Sequence, residues 1–577
     1  MGALRFALML WAASVQTSLA VPLNQTTAYS NNTLCKAIPG DSSWPTDADW
    51  AQLNSTLNGR LIASEPISSV CHNPSFDEDA CSALREIWPF DTPHLDSPPD
   101  ILAPYFQNQS CDPFTPRERP CSLGNYASYS INVTGAAEIQ AGIRFAREKN
   151  VRLTLKNTGH DILGKSTGKG SLSLWLHNLK AIEFFDNYSQ GSEYRGPYVK
   201  LGAGVILDEA YTAASTRGFR VVGGTCPTVG ISGGYAAGGG HGAFTSIYGM
   251  AADNVLEWEV VTADGSHLFA NPESNSDLYW ALSGGGPGTF AVVVSMTMRV
   301  YQDDLMTSTS LTFSNTSVGG VEEFWRGVTA FHSSLVPLVS AGSVASFVLS
   351  QTSLTAFNIA IPSSNSTLVN STLGEITATM AQAGVNASLI PTQYSGFFEM
   401  YNATLKPVVE STPAAQIAGG RLIPRSLIEN NDTSLEVTQA FRSAVEAGFN
   451  VICVAIDARK PPMYENSVFP GWRSSLMTCL IQQSWDFNVP REEMLLRQAK
   501  LTDVVMPEIE AATPGGGAYL NEASFQQSDW QQTFYGANYP QLMAVKSKYD
   551  PETLLYAATA VGSEAWVPDS DGRLCRS

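Results

Sequence analysis

From about residue 124 the chain alternates between two periodicities. Ile139, Ile143 and Ala146 recur on one face of residues 135–150 and predict a helix, and residues 151–155 then alternate as a strand. Residues 207–217 predict a second helix, closed by Gly218 as a C-terminal cap. Leu256, Trp258 and Val260 alternate with Glu257 and Glu259, and Asp264-Gly265 supplies a hairpin turn. Residues 289–300 predict another alternating strand. Beyond Tyr301 the chain is richer in Ser and Thr; its clearest helices are 434–448 and 538–548, the latter ended by Asp550-Pro551. Ahead of residue 124 there is little periodicity, which predicts loops.

A chain of 577 residues is too long for one core, so two or three domains are expected. With 53 acidic against 34 basic side chains the net charge is -19, which opposes nucleic acid and anionic membranes as partners because both need a basic patch. Residues 1–20 read as a signal peptide: Arg5, an apolar run, then Ser18-Leu19-Ala20. Sequons at Asn24, Asn31, Asn54, Asn108, Asn132, Asn187, Asn315, Asn365, Asn370, Asn386, Asn402 and Asn431 fit an N-glycosylated secreted protein. Cys35, Cys71, Cys81, Cys111 and Cys121 crowd the aperiodic segment, where an oxidising compartment favours disulfides, and Cys453, Cys479 and Cys575 lie far downstream. Pairing cannot be read from sequence. Cys226 stands apart, inside a glycine-rich stretch, so eight cysteines are available for structural bonds and one is left over.

Three short motifs mislead. Residues 159–166 match the phosphate-loop pattern letter for letter, yet glycines and a β-like stretch follow where a helix must open. Residues 230–234 match the nucleophile elbow around Ser232, but glycines follow, and no acid-then-histidine pair lies downstream because His332 is the last histidine. Residues 286–291 fit a loose dinucleotide fingerprint that leads into a strand. Metal-site spacing of the H-E-x-x-H or C-x-x-C kind is absent, and no catalytic metal is expected.

Three glycine-rich loops remain, 157–170, 223–242 and 283–288, each at the end of a predicted strand; such loops let backbone N–H groups approach a pyrophosphate. The first carries His160 and the second Cys226. Lys156-Asn157-Thr158-Gly159-His160-Asp161 and residues 224–234 resemble the two flavin-attachment segments of the berberine bridge enzyme-like oxidases, FAD enzymes of the vanillyl-alcohol oxidase superfamily. The resemblance continues through residues 248–255 and 277–286 and returns in 530–551; the cysteine-bearing extension is most similar to secreted fungal members, the isoamyl alcohol oxidase-like branch.

The resemblance implies an α+β fold: a PCMH-type two-part FAD-binding domain plus a substrate domain with an antiparallel sheet covered by helices. The expected division is 1–20 signal peptide, 21–123 Cys-rich extension, 124–303 FAD-binding domain, 304–510 substrate domain and 511–577 a C-terminal segment returning to the flavin. It implies FAD bonded through its 8α carbon to His160 and through C6 to Cys226. Asn157, Thr158, Gly159, Asp161, Gly164, Val229, Gly230, Gly233, Gly234, Gly240, Asn254, Asn538 and Tyr539 would contact the cofactor. Val229 occupies the position that in the family governs oxygen access, valine being typical of oxidases. The implied reaction is hydride transfer from a substrate carbon, a carbinol above all, with O2 reoxidising the flavin to give H2O2. Relatives carry the base on the substrate sheet, but residues 451–459 show no clear equivalent; Asp457 and Tyr464 are candidates, and Tyr519 and Asn521 are expected at the active-site edge. The substrate is a small molecule of unassigned class, and an oligosaccharide oxidase or a flavin-carrying binding protein that has lost its base remain alternatives.

Overall fold

The computed structural model describes residues 35–189 and 193–577, so the expected signal peptide and the sequons at Asn24 and Asn31 lie outside the described residues. The first sheet is built around a parallel core: strand Ser171–Trp175 lies between Tyr129–Asn132 and Arg152–Lys156, with Leu61–Ala63 antiparallel at one edge. Helix Ala136–Glu148 makes the crossover and buries Ile139, Ile143 and Ala146, the apolar face that its spacing marks. Strand Arg152–Lys156 then delivers the chain into the 157–170 loop.

A second sheet of five antiparallel strands runs in the order Ile182–Phe185, Tyr198–Gly202, Val292–Arg299, Val255–Val261 and His267–Ala270. The predicted turn joins the last two: the Asp264 carboxylate accepts the Ser266 N–H, and Gly265 takes φ +89°. Helix Leu207–Ser215 stops just before Gly218, whose φ of +72° suits the cap foreseen there. The two sheets share one hydrophobic core with residues 518–561, so the C-terminal segment packs back on this half of the molecule. Buried Lys546 on helix Tyr539–Tyr549 fastens it, donating to Asp550 (2.7 Å) and to the carbonyls of Thr289 (2.5 Å) and Leu555 (2.9 Å).

The third sheet has seven strands, all antiparallel, between Met306 and Ser484. Helices Val321–Ser340, Ser366–Gln382 and Asn431–Glu446 cover one face around a separate core. Strand alternation divides its residues: Phe347, Cys453 and Cys479 enter that core, whereas Val348, Ile452, Val454 and Leu480 point to the opposite side, where a cavity lies. The fold is thus α+β, with mixed helices and antiparallel sheets.

All eight available cysteines pair, as Cys35–Cys575, Cys71–Cys81, Cys111–Cys121 and Cys453–Cys479, and Cys226 is the free one. The phosphate-loop match opens no helix; strand Ser171–Trp175 follows it. Ser232 is fully buried, with its hydroxyl near the carbonyls of Leu201 and Gly202, and cannot serve as an exposed nucleophile. Among the described residues no helix is long and apolar enough to cross a membrane. Sequon asparagines 108, 187, 365, 370, 386, 402 and 431 are exposed.

Candidate active site

One cavity of about 500 Å³ runs from the 157–170 and 223–242 loops to the open face of the seven-stranded sheet. Both loops leave strands or their ends, and each needs glycine where the chain crowds. Gly159 takes φ +87°, and its carbonyl accepts the Leu102 N–H (3.0 Å), so the N-terminal segment is strapped across the histidine loop. At Gly230 an added Cβ would stand 2.2 Å from the Asn157 amide nitrogen, which donates to the Ala203 carbonyl (2.6 Å). That contact locks the two loops side by side.

The result is convergence of residues that are 66 apart. His160 Nε2 lies 2.7 Å from Thr228 Oγ1 and 3.9 Å from Cys226 Sγ, and Cys226 Sγ is 3.4 Å from the same hydroxyl. Asp91, from the cysteine-rich segment, completes the group: it accepts the Thr228 hydroxyl in a short contact and lies 3.4 Å from His160 Nε2. Burial disfavours the imidazolium, but the Cys226 sulfur and the Asp91 carboxylate outweigh it and push His160 up to about 10. Burial likewise raises Asp91, and its bonds to His160, Thr228 and Cys226 more than reverse this, holding it well below the usual carboxylate range. Ligand atoms of Asp91, His160 and Cys226 lie within 4.8 Å of one another, a spacing that sequence motifs did not foreshadow and that a metal ion could also use.

Asn157, Thr158, Gly159, Asp161, Val229, Gly230, Gly233 and Gly234 line the cavity with them. Asp161 holds the loop, its carboxylate accepting from the Lys165 backbone N–H and ammonium. Gly164 and Gly240 turn the chain behind the lining, where an added Cβ would strike Phe106 or Tyr235. Two features fit a flat, polar-edged group such as a flavin: Asn157 Oδ1 is buried without a partner, and nothing lies within 4 Å of where a Cβ would project from Gly233 or Gly234. The other expected contacts do structural work instead. Asn254 is wholly buried, donating to the Tyr248 and Met250 carbonyls and accepting from Tyr301. Asn538 donates to the carbonyls of Ser467 and Val468, and Tyr539 donates to Glu564.

At the sheet, Val348, Phe357, Ile452, Val454 and Leu480 form an apolar wall interrupted by Ser346, Gln416 and Thr478. Ile452 and Val454 belong to strand Asn450–Ala455, so aliphatic side chains stand where a base was sought. Asp457 is not brought to the cavity; it bonds Arg459 (2.6 Å) and lies 3.6 Å from Arg425. Burial raises its carboxyl, but the Arg459 hydrogen bonds prevail and lower it, which leaves a poor base. Tyr464 also lies off the cavity lining, accepting the Glu193 N–H.

Tyr519 and Asn521 do line the cavity, and with them come His241 and Glu522, which sequence reasoning missed. Asn521 donates to Tyr519 Oη (2.9 Å) and the Gly234 carbonyl (3.1 Å), pinning the C-terminal segment to the glycine loop. Burial pushes the Tyr519 phenol far above its ordinary value. His241, 7% exposed, places Nε2 3.3 Å from Glu522 Oε1, while its Nδ1 is buried with no hydrogen-bond partner. The rings of Trp472 and Tyr519 flank it at 5.4 and 5.3 Å between centroids. A histidine oriented by a carboxylate at one nitrogen and without a partner at the other has the lone pair of a proton acceptor.

Comparison with known proteins agrees with this geometry. Residues 127–271 match the "FAD binding domain" family and residues 518–562 the "Berberine and berberine like" family. The chain is 46% identical over 559 residues to a VAO-type flavoprotein oxidase, VAO615, of Thermothelomyces thermophilus, covering 96% of this chain and 97% of that one. It is 46% identical over 550 residues to the bifunctional decalin synthase calF of Penicillium decumbens, covering 94% and 95%. The crystal structure of the VAO-type flavoprotein MtVAO615 from Myceliophthora thermophila superposes with a TM-score of 0.91 at 46% identity, over 94% of this chain and all of that one.

Proposed function

The chain belongs to the VAO-type, berberine-like FAD-linked oxidoreductases, and on that premise we propose that it is a secreted oxidase with FAD bonded to both His160 and Cys226. Its substrate is an apolar, hydroxylated small molecule, oxidised at a carbinol carbon, and O2 is reduced to H2O2. The observation that carries the reading is the meeting of His160 and Cys226, from separate glycine loops, at the wall of a cavity that ends on an aliphatic sheet face. Once held by Asn157, Thr158, Gly230, Gly233 and Gly234, the flavin supplies the two-electron acceptor, and the protein's part is orientation and proton handling.

His241 takes the hydroxyl proton of the substrate on Nδ1. Glu522 accepts from Nε2, keeps the free lone pair on Nδ1 and stabilises the ring once it is charged. The wall of Val348, Phe357, Ile452, Val454 and Leu480 favours an apolar skeleton over a sugar, whose many hydroxyls would find only Ser346, Gln416 and Thr478 on that face. Similarity to a protein named as a decalin synthase supports the same substrate class, because decalin is a bicyclic hydrocarbon frame. Val229 lines the cavity and supports oxygen as acceptor. Four disulfides support passage through an oxidising compartment.

A peroxide-release screen tests the function. Lipophilic secondary alcohols and lactols should release peroxide, and oligosaccharides should not. Turnover confined to oligosaccharides overturns the substrate class, and flavin reduction without peroxide overturns the choice of O2.

A further inference from the structure

Asp91 belongs to the disulfide-stapled segment between strands Leu61–Ala63 and Tyr129–Asn132 of the first sheet, which has no sequence motif of its own. Cys71–Cys81 and Cys111–Cys121 tie the segment on either side of it. Buried Lys156, next to the histidine loop, holds it in place by donating to the His94 carbonyl (2.9 Å) and to that of Ser97. Asp91 opens the short helix Thr92–Leu95 but caps none of its N–H groups; its Oδ1 takes only the Thr92 hydroxyl (3.4 Å), and Oδ2 is left for the loops. It points instead at Thr228 and His160.

A hydroxyl has one proton to give. Thr228 donates it to Asp91, so the Thr228 oxygen can only accept from His160 Nε2, 2.7 Å away. Nε2 therefore keeps a proton in both charge states of the ring, and Nδ1 is the nitrogen that gives up its own and carries the lone pair when the ring is neutral. We propose that Asp91 is a positioning residue for the cofactor bond: acting through Thr228, it fixes the His160 tautomer so that Nδ1 is the nitrogen that joins the flavin. The inference rests on the FAD reading above. In the linking step the Nδ1 lone pair forms the bond to the flavin 8α carbon and that carbon gives up a proton. The two electrons pass into the ring system, and one molecule of O2 removes them, taking up that proton and one from solvent to leave as H2O2. Asp91 is consumed in none of this. It keeps the proton on Nε2 and offsets the positive charge that grows on the ring as the bond forms.

Two backgrounds separate this role from simple folding support. In Cys226→Ala the only covalent bond left is that of His160; in His160→Ala only that of Cys226. Flavin that stays with acid-precipitated protein is measured in each, with mapping of the His160 peptide by mass. In the first background Asp91→Asn lowers acid-stable flavin by roughly tenfold or more, and Asp91→Glu restores most of it. In the second, Asp91→Asn leaves acid-stable flavin within about twofold of the parent. Thr228→Val repeats the first result if Asp91→Asn does not fold. Equal losses in the two backgrounds, or no loss in the first, overturn the role of Asp91 while the FAD reading stands. Complete release of flavin by the unmutated protein overturns the role of Asp91 and the covalent attachment together, and a bound metal ion with no flavin at all overturns the FAD reading as well.

Discussion

Replacing His241 by Gln removes the cavity's best-placed proton acceptor while keeping a polar side chain of similar reach. The structure bounds the consequence. Nδ1 is buried and unpartnered, so nothing else stabilises the proton it would take. Tyr519 cannot stand in, because burial drives its phenol far from deprotonation near neutral pH. Asp161 and Lys165 are committed to each other, and Asp91 to Thr228 and His160. Loss of a general base costs about 10²–10⁴ in rate, or about 2.7–5.5 kcal/mol of barrier. The assay is anaerobic stopped-flow reduction of the flavin by a substrate found in the peroxide screen. His241→Gln should slow reduction by that factor, while flavin content and the rate of reoxidation by O2 hold. Glu522→Gln should slow it less, and the double variant should be no worse than His241→Gln alone, because the two side chains act as one unit. Reduction within a factor of about three of the parent in His241→Gln, or an equal loss in Tyr519→Phe, would refute the assignment.

Other outcomes follow from the packing. Gly230→Ala drives a methyl into the Asn157 amide at 2.2 Å and breaks its bond to Ala203, so covalent flavin content should fall with the Tm, as measured by acid precipitation and calorimetry. Replacing Cys453 and Cys479 by Ala releases a closure of 26 residues, worth about 3.5 kcal/mol by chain entropy; unfolding should shift accordingly while KM holds, because the bond lies on the helix side of the sheet, away from the cavity. Val454→Asp should raise KM for apolar alcohols and leave flavin content unchanged. His332 is fully buried, and burial lowers it to about 4, so the unfolded chain takes up its proton first; this stability is present above about pH 6.5 and lost as pH falls to about 4. His332→Leu should flatten that acid slope by about 3 kcal/mol in denaturant titrations.

Much of the frame could be read from the chain, because helix 136–148 and strand 255–261 bury the faces that their periodicities mark, whereas strand 152–156 buries Thr154 and Lys156 as well as Leu153. The loops that carry His160 and Cys226 were legible for a different reason: glycine density marks close backbone approach. What escaped was everything that depends on long-range pairing. Asp91 sits in an aperiodic, cysteine-rich stretch, and only folding brings it across to Thr228. His241 lies inside a run of glycines, where a histidine reads as a turn residue, and its partner Glu522 comes from 281 positions away. Asn254 and Asn538, expected at the flavin, turned out to hold backbone carbonyls; a sequence shows that an amide is present but not which way it faces. Ile452 and Val454 did alternate visibly, yet their meaning as a substrate wall required knowing that the other sheet face is covered by helices.

The central claim is that one flavin bridges His160 and Cys226, and peptide mapping of the native protein tests it most directly. Tryptic residues 157–165, which hold His160, and 221–299, which hold Cys226, should travel as one species joined by a single flavin. Recovery of the two peptides separately at their unmodified masses would contradict the account.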